Sequence, residues 1–139
     1  MPNARTGPLD LTERSEEFAA FWRERHLCSL TTLRPDGSVH VVAVGATLDP
    51  AAGTARVITS ARSRKARIIA AGPAGGTVVA ICQIDGRRWS TLEGLAVVRD
   101  DAESVADAER RYAQRYREPR ANPLRVVLEV RVTRVLGSV

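Results

Sequence analysis

Apolar positions recur along this chain in two rhythms, and the switches between them mark its elements. Phe18, Phe21 and Trp22 stand at i, i+3 and i+4, which gathers three large rings on one helical face. Asp10 and Glu13 have the spacing of a capping box, so the pattern predicts a helix starting near Asp10 to Thr12 and running to about Arg25. The period then drops to two. Residues 26–33 (HLCSLTTL) read as a strand, 34–37 (RPDG) as a turn preset by Pro35 and Gly37, and the Val-rich run 38–48 as a second strand closing a hairpin. A turn at 49–53 leads to a third strand at 55–59, a basic loop at 60–67, a short helix ending in Ile68, Ile69, Ala70 and Ala71, and a Gly-rich break at 72–76. Residues 77–84 and 88–99 form another hairpin across Asp85-Gly86. Asp100-Asp101 cap a helix to about Tyr116, Pro119 and Pro123 break it, and 124–136 alternates as a last long strand.

Six strands joined mostly by hairpins, with peripheral helices, predict a mainly β fold that curls into a small barrel, because closure removes exposed strand edges. The 139 residues make one domain, with an N-terminal arm and helix over 1–25 and the barrel over 26–139. A barrel of this size is filled by its own side chains, so any ligand must use its outside and a partner copy. No apolar run reaches the roughly 18 to 20 residues of a membrane span, and the first residues lack a signal-peptide core, so a soluble, cytoplasmic protein is expected.

Cysteine and histidine are sparse: Cys28 and Cys82 lie inside apolar runs and read as buried thiols, and only His26 and His40 accompany them. That set predicts neither a disulfide scaffold nor a bound metal. The net charge of +5 invites a nucleic-acid reading. Its distribution argues against one: the excess is arginine scattered from Arg5 to Arg134, Lys65 is the single lysine, and aromatic residues for base stacking are 4% of the chain.

The sharpest local feature is 60–67, with Arg62, Arg64, Lys65 and Arg67 beside Ser60 and Ser63 at the start of a short helix. Free backbone N–H groups there favour an anion, Ser63 can cap the helix, and Arg64 and Lys65 can reach a phosphate; the alternative is a solvated basic turn. His40 has the titration range for proton transfer, although a hydrogen-bonded structural role is the commoner fate of such a residue. Trp89, after Arg87-Arg88, either stacks on a planar ring or packs at the barrel surface. Arg110, Arg111, Arg115, Arg117 and Arg120 read as a solvated helix face, some with carboxylate partners. No G-x-G-x-x-G, Walker A or G-x-S-x-G pattern is present, which removes the usual dinucleotide, NTP and serine-hydrolase sites.

The order of RPDGSVHVVAVG, ARVITS, the S-x-K-A turn Ser63-Arg64-Lys65-Ala66 and WSTLEG resembles the pyridoxamine-phosphate-oxidase-like split β-barrel family. With HLCSLTTLRPDGSVHVVAVG and RYAQRYREPRANPLRVVLEVRVTRVLGS, the similarity extends from about Glu24 to Ser138 and is greatest to the deazaflavin-using branch that reduces biliverdin. The resemblance implies a six-stranded split barrel, a homodimer, coenzyme F-420 as cofactor with FMN as the alternative, and hydride transfer to biliverdin or another planar conjugated substrate. A non-catalytic tetrapyrrole-binding protein is a further alternative.

By position, the resemblance places the cofactor against His40, Val42, Ala43, Val44, Thr59 and Ser60. Ser63, Arg64 and Lys65 would hold its phosphodiester, and Trp89 would close the site, from the same subunit or the partner. The chemistry of two substrate propionates points to Arg117, Arg120 and Arg125, since bidentate carboxylate binding suits arginine. Ala46 stands where that branch carries Phe, which implies a wider substrate site, and Ala61-Arg62 replaces a flexible glycine pair, which implies a stronger tail site. No proton donor is assigned.

Overall fold

The computed structural model describes residues 8–139; the first seven residues of the expected N-terminal arm, Arg5 among them, lie outside the described part. Helix α1 spans Glu16–Arg23, shorter than the pattern predicts. Its cap is Ser15, whose Oγ accepts from the Phe18 amide at 3.1 Å. Asp10 instead accepts from the amide and hydroxyl of Thr12, a local turn that satisfies the carboxylate before a helix begins. The aromatic face is as the spacing requires: Phe18, Phe21 and Trp22 are all buried.

Seven strands follow among the described residues: β1 (Cys28–Leu33), β2 (Val39–Val44), β3 (Ala46–Asp49), β4 (Thr54–Ser60), β5 (Thr77–Asp85), β6 (Arg88–Arg99) and β7 (Arg125–Gly137). Helix α2 (Arg64–Ala70) links β4 to β5, and α3 (Ala102–Arg115) links β6 to β7. The expected count of six is thus corrected to seven, because the run 38–48 is two strands broken at Gly45. All pairings are antiparallel, in the order β2-β1-β5-β6-β7-β4-β3. The two outermost strands, β2 and β3, are therefore neighbours in sequence, joined through Gly45 alone. One residue spans only about 3.3–3.6 Å, so the sheet has to curl until its two ends meet there.

Gly45 tolerates this because it has no Cβ: one added there would stand 2.8 Å from Tyr112 Cε2 and 3.2 Å from Tyr116 Cε2. The β5–β6 turn uses glycine differently, with Gly86 at φ 62°.

The inward faces of the sheet, including Leu30, Val57, Ile81, Leu92, Leu128, Val130 and Val132, enclose the core, and α1 closes one side with Phe18 and Trp22. Full burial of each large apolar side chain stabilises by about 1.5–3 kcal/mol relative to exposure. Trp22 also donates its indole N–H to Ser90 Oγ at 3.1 Å, so its polar atom is satisfied inside. Cys28 is buried as expected, but Cys82 is half-buried on the outer face of β5, and both are free thiols.

The C-terminal end of α3 is anchored by a polar cluster that charge patterning places in solvent. Arg115 is 8% exposed. It donates to the carbonyls of Glu24 at 2.9 Å and Ala46 at 2.6 Å, and to Gln83 Oε1. Gln83, fully buried, donates in turn to the Phe21 carbonyl at 2.7 Å. The Tyr116 hydroxyl donates to the His26 carbonyl at 2.7 Å and accepts from the Ala46 amide at 3.1 Å; burial pushes its pKa up to about 12. The expectation of a solvated arginine face therefore fails at Arg115, because α3 ends against the Gly45 kink and backbone carbonyls there require donors.

Candidate active site

Beside that kink lies a cleft of ≈ 350 Å³. Ala43, Val44 and Gly45 enter it from the end of β2, Ile58, Thr59 and Ser60 from the end of β4, and Lys65 from α2. Tyr112 comes from α3, and Arg117, Pro119, Arg120, Asn122 and Arg125 from the α3–β7 connection and the first residue of β7. Register explains the meeting: Ser60 ends β4 directly opposite Arg125 at the start of β7.

The cleft wall carries four cations and no carboxylate. Among the described residues, no carboxylate pairs with Lys65, Arg117 or Arg120. Arg125 is different: its Nη1 donates to Glu109 Oε2 at 2.6 Å and its Nη2 to the Arg120 carbonyl at 2.6 Å. Burial holds the Lys65 pKa below the usual lysine value, which makes an anionic partner favourable for its charged form.

The structure brings together most of the residues singled out from the sequence. Ala43, Val44, Thr59, Ser60 and Lys65 share the cleft with Arg117, Arg120 and Arg125. Ser63 adjoins it, accepting from Thr59 Oγ1 at 3.0 Å and capping α2 by accepting from the Ala66 amide at 3.2 Å. His40 and Val42 precede Val44 on the same face of β2 but do not line the cleft. His40 Nδ1 lies 3.5 Å from Thr32 Oγ1. Its pKa is lowered by desolvation and then by the charges of Arg34, Arg64 and Lys65, so this imidazole sits in the field of the basic turn. Arg64 is exposed on α2 and does not line the cleft. Trp89 also stands apart, on β6 with its amide bound to Ser138 Oγ at 3.0 Å and its side chain partly exposed.

Ala46 does not widen this site. It is fully buried in the core, with its amide and carbonyl held by Tyr116 and Arg115. Sequence reasoning missed Gly45, Ile58, Tyr112, Pro119 and Asn122 as lining residues. The i, i+4 spacing of Tyr112 and Tyr116 was the one available signal, since it puts both rings on one face of α3; they pack with centroids 4.9 Å apart. Of the two hydroxyls only that of Tyr116 is bonded to the backbone among the described residues.

A second cluster joins Glu24, His26 and Asp85, whose ligand-type atoms lie within 4.8 Å of one another. Arg88 sits on it, donating to both Glu24 oxygens at 3.0 and 3.1 Å and to Asp85. That hydrogen bond, then the one from His26, depresses the Glu24 pKa to about 2.

The sequence model of the family described as Pyridoxamine 5'-phosphate oxidase matches residues 15–138. An F-420H(2)-dependent biliverdin reductase of Mycobacterium tuberculosis (strain CDC 1551 / Oshkosh) is 56% identical over 127 residues, covering 91% of this chain and 90% of that protein. Among solved structures, an F-420 reductase superposes with a TM-score of 0.69 at 26% identity, over 88% of this chain and 98% of its own. A conserved hypothetical protein of Mycobacterium tuberculosis reaches a TM-score of 0.73 over 94% of this chain and 88% of its own; at 23% identity it bears on the fold alone.

Proposed function

The chain belongs to the pyridoxamine 5'-phosphate oxidase family, and from that membership we propose that it is a cytoplasmic oxidoreductase that reduces biliverdin to bilirubin with reduced coenzyme F-420. The observation that carries this reading is the cleft itself: cations from three separate elements converge on one wall that holds no carboxylate. A cofactor with a phosphodiester and a polyglutamate tail, and a substrate with two propionates, both require such a wall. The residues present therefore fit the group.

When bound, the reduced deazaflavin supplies a hydride, its ring carrying carbon where flavin has its reactive nitrogen. The protein's part is to bind, orient and exclude water. Ala43 and Val44 offer backbone groups and little bulk at the end of β2, suited to the flat face of a ring, with His40 and Val42 preceding them on the same strand. Thr59 and Ser60 border the ring with hydroxyls, and Lys65, with Ser63 and Arg64 beside it, takes the phosphodiester. Arg117 and Arg120, both exposed and without carboxylate partners, receive the propionates. Arg125 completes that wall with its guanidinium already engaged. Holding the reactants in one cleft supplies the proximity on which the rate depends.

The reading includes a homodimer. Leu33, Val39, Val41, Val78 and Ile84 are large, exposed and apolar on β1, β2 and β5, adjacent strands, on the face turned away from the core. Such a face favours association. A second copy seated there offers Trp89 a route to the neighbouring cleft.

An anaerobic assay tests the proposal: enzymatically reduced F-420 and biliverdin, following cofactor reoxidation and bilirubin together, with NADPH and reduced FMN as controls. Stoichiometric turnover with F-420 alone is expected. Turnover with FMN instead, or F-420 oxidation without bilirubin, refutes the assignment.

A further inference from the structure

Arg125 lines the cleft, yet among the described residues it is the one cation there whose hydrogen bonds are already committed. Its side chain is 10% exposed and is bonded to Glu109 of α3 on one side and to the Arg120 carbonyl on the other. The segment it grips, residues 117–124, has no helix or strand of its own, and it supplies Arg117, Pro119, Arg120 and Asn122 to the cleft. Few other bonds hold it. The Leu124 carbonyl accepts from the Ala61 amide at 2.8 Å, and two short turn bonds run from the Leu124 and Arg125 amides to Asn122. All of these lie at its C-terminal end. The middle of the segment, where Arg120 stands, is tied to the fold by the Arg125 guanidinium.

We propose that the Glu109–Arg125 pair is a positioning device: it fixes the Arg120 backbone so that Arg117 and Arg120 present their charges to an anionic substrate, and Arg125 does not itself bind that substrate. The substrate part of this inference rests on the proposed biliverdin reduction; the positioning part does not.

The two roles for Arg125 predict opposite signs for one substitution. Glu109→Gln removes a negative charge behind the cleft and loosens the guanidinium. If Arg125 were a carboxylate ligand, a freed guanidinium and a more positive cleft would tighten binding of a dianion. If it positions the segment, the Arg120 backbone is released and binding weakens despite the extra positive charge. The expected result is a KM for biliverdin raised about tenfold with kcat within about twofold of the parent, the pattern of lost binding rather than lost chemistry. The affinity for F-420 stays unchanged. With the dimethyl ester of biliverdin, which lacks both carboxylates, parent and variant have the same KM.

Arg125→Lys is the second variant. It keeps the charge but offers one nitrogen where two separated ones are needed, so it cannot hold Glu109 and the Arg120 carbonyl together. It is expected to behave like Glu109→Gln; a parent-like KM would show that charge alone counts and would overturn the proposal. Limited trypsin cleavage of the unliganded protein at the Arg120–Ala121 bond is the readout independent of any substrate. Cleavage there about tenfold faster in both variants, with the rest of the chain no more susceptible, is expected of a released segment. Unchanged cleavage refutes the positioning role whatever the substrate, whereas faster cleavage in a protein that never turns over biliverdin would refute the functional reading and leave the positioning role standing.

Discussion

Replacing Arg115 by Met tests the account of the buried polar cluster most directly. The substitution keeps much of the apolar stem and deletes a guanidinium bonded to the Glu24 and Ala46 carbonyls and Gln83 Oε1. Two acceptors lose most: the Ala46 carbonyl, left with the longer contact to Tyr116 at 3.1 Å, and Gln83 Oε1, left with a thiol at 3.5 Å. Orphaning a buried acceptor costs about 1–3 kcal/mol. Against this, the parent carries the desolvation cost of a buried cation with no carboxylate partner among the described residues, which the variant sheds. The orphaned acceptors outweigh that relief, because the desolvation is already compensated by three bonds in the parent. We expect a net loss of about 3 kcal/mol, a large fraction of the roughly 5–15 kcal/mol that stabilises a domain. For a chain of this length that is a fall in Tm of about 10 °C.

The assay is urea denaturation of the parent, Arg115→Met and Arg110→Met. Arg110 is on the same helix with its side chain 63% exposed, and its loss should change stability by less than about 0.5 kcal/mol. The double variant Gln83→Met with Arg115→Met removes one orphan, so its cost should fall short of the sum of the two singles by about 1 kcal/mol or more. If Arg115→Met proved no more destabilising than Arg110→Met, Arg115 would be a surface residue in solution and the anchoring argument would fail.

Gly45→Ala should destabilise by about 1–2 kcal/mol: overpacking at a 2.8 Å contact costs about 1–3 kcal/mol and exceeds the roughly 0.4–1 kcal/mol gained from a stiffer unfolded chain. Equal or greater stability of the variant by thermal denaturation would refute the close tyrosine contact. Lys65→Met should weaken F-420 binding about tenfold at low salt and less at high salt, as loss of one screened charge contact requires; a salt-independent loss in a titration would show that Lys65 acts through packing. The Glu24 carboxyl, held near pKa 2 against an ordinary 4.5, is lowered by folding, so its contribution is present above about pH 4.5 and is lost as pH falls towards 2. The difference in urea midpoint between the parent and Arg88→Met should therefore shrink across that window, and a difference constant from pH 3 to 7 would count against the pair.

What could be read before folding was everything set within one element or one turn. Aromatic spacing put Phe18, Phe21 and Trp22 inside, alternation marked the strands, and Asp85-Gly86 marked a hairpin, because period and turn chemistry act over a few residues. The cations of 60–67 were legible for the same reason. What needed the tertiary structure was every relation between distant segments. Nothing local says that the Val-rich run breaks at Gly45: its two halves pair with strands at opposite ends of the sheet, and the break becomes necessary only when the sheet curls and two tyrosine rings press on the kink. A helix wheel sets Arg115 on the face of Ala108 and Arg110 about 140° away, but it does not say what that face meets. Both look solvated until residues up to 91 positions away supply buried carbonyls to one of them. The cleft has the same origin, since the register of β4 on β7 sets Ser60 opposite Arg125, and that long-range pairing brings the basic turn and the arginine-bearing connection to one wall.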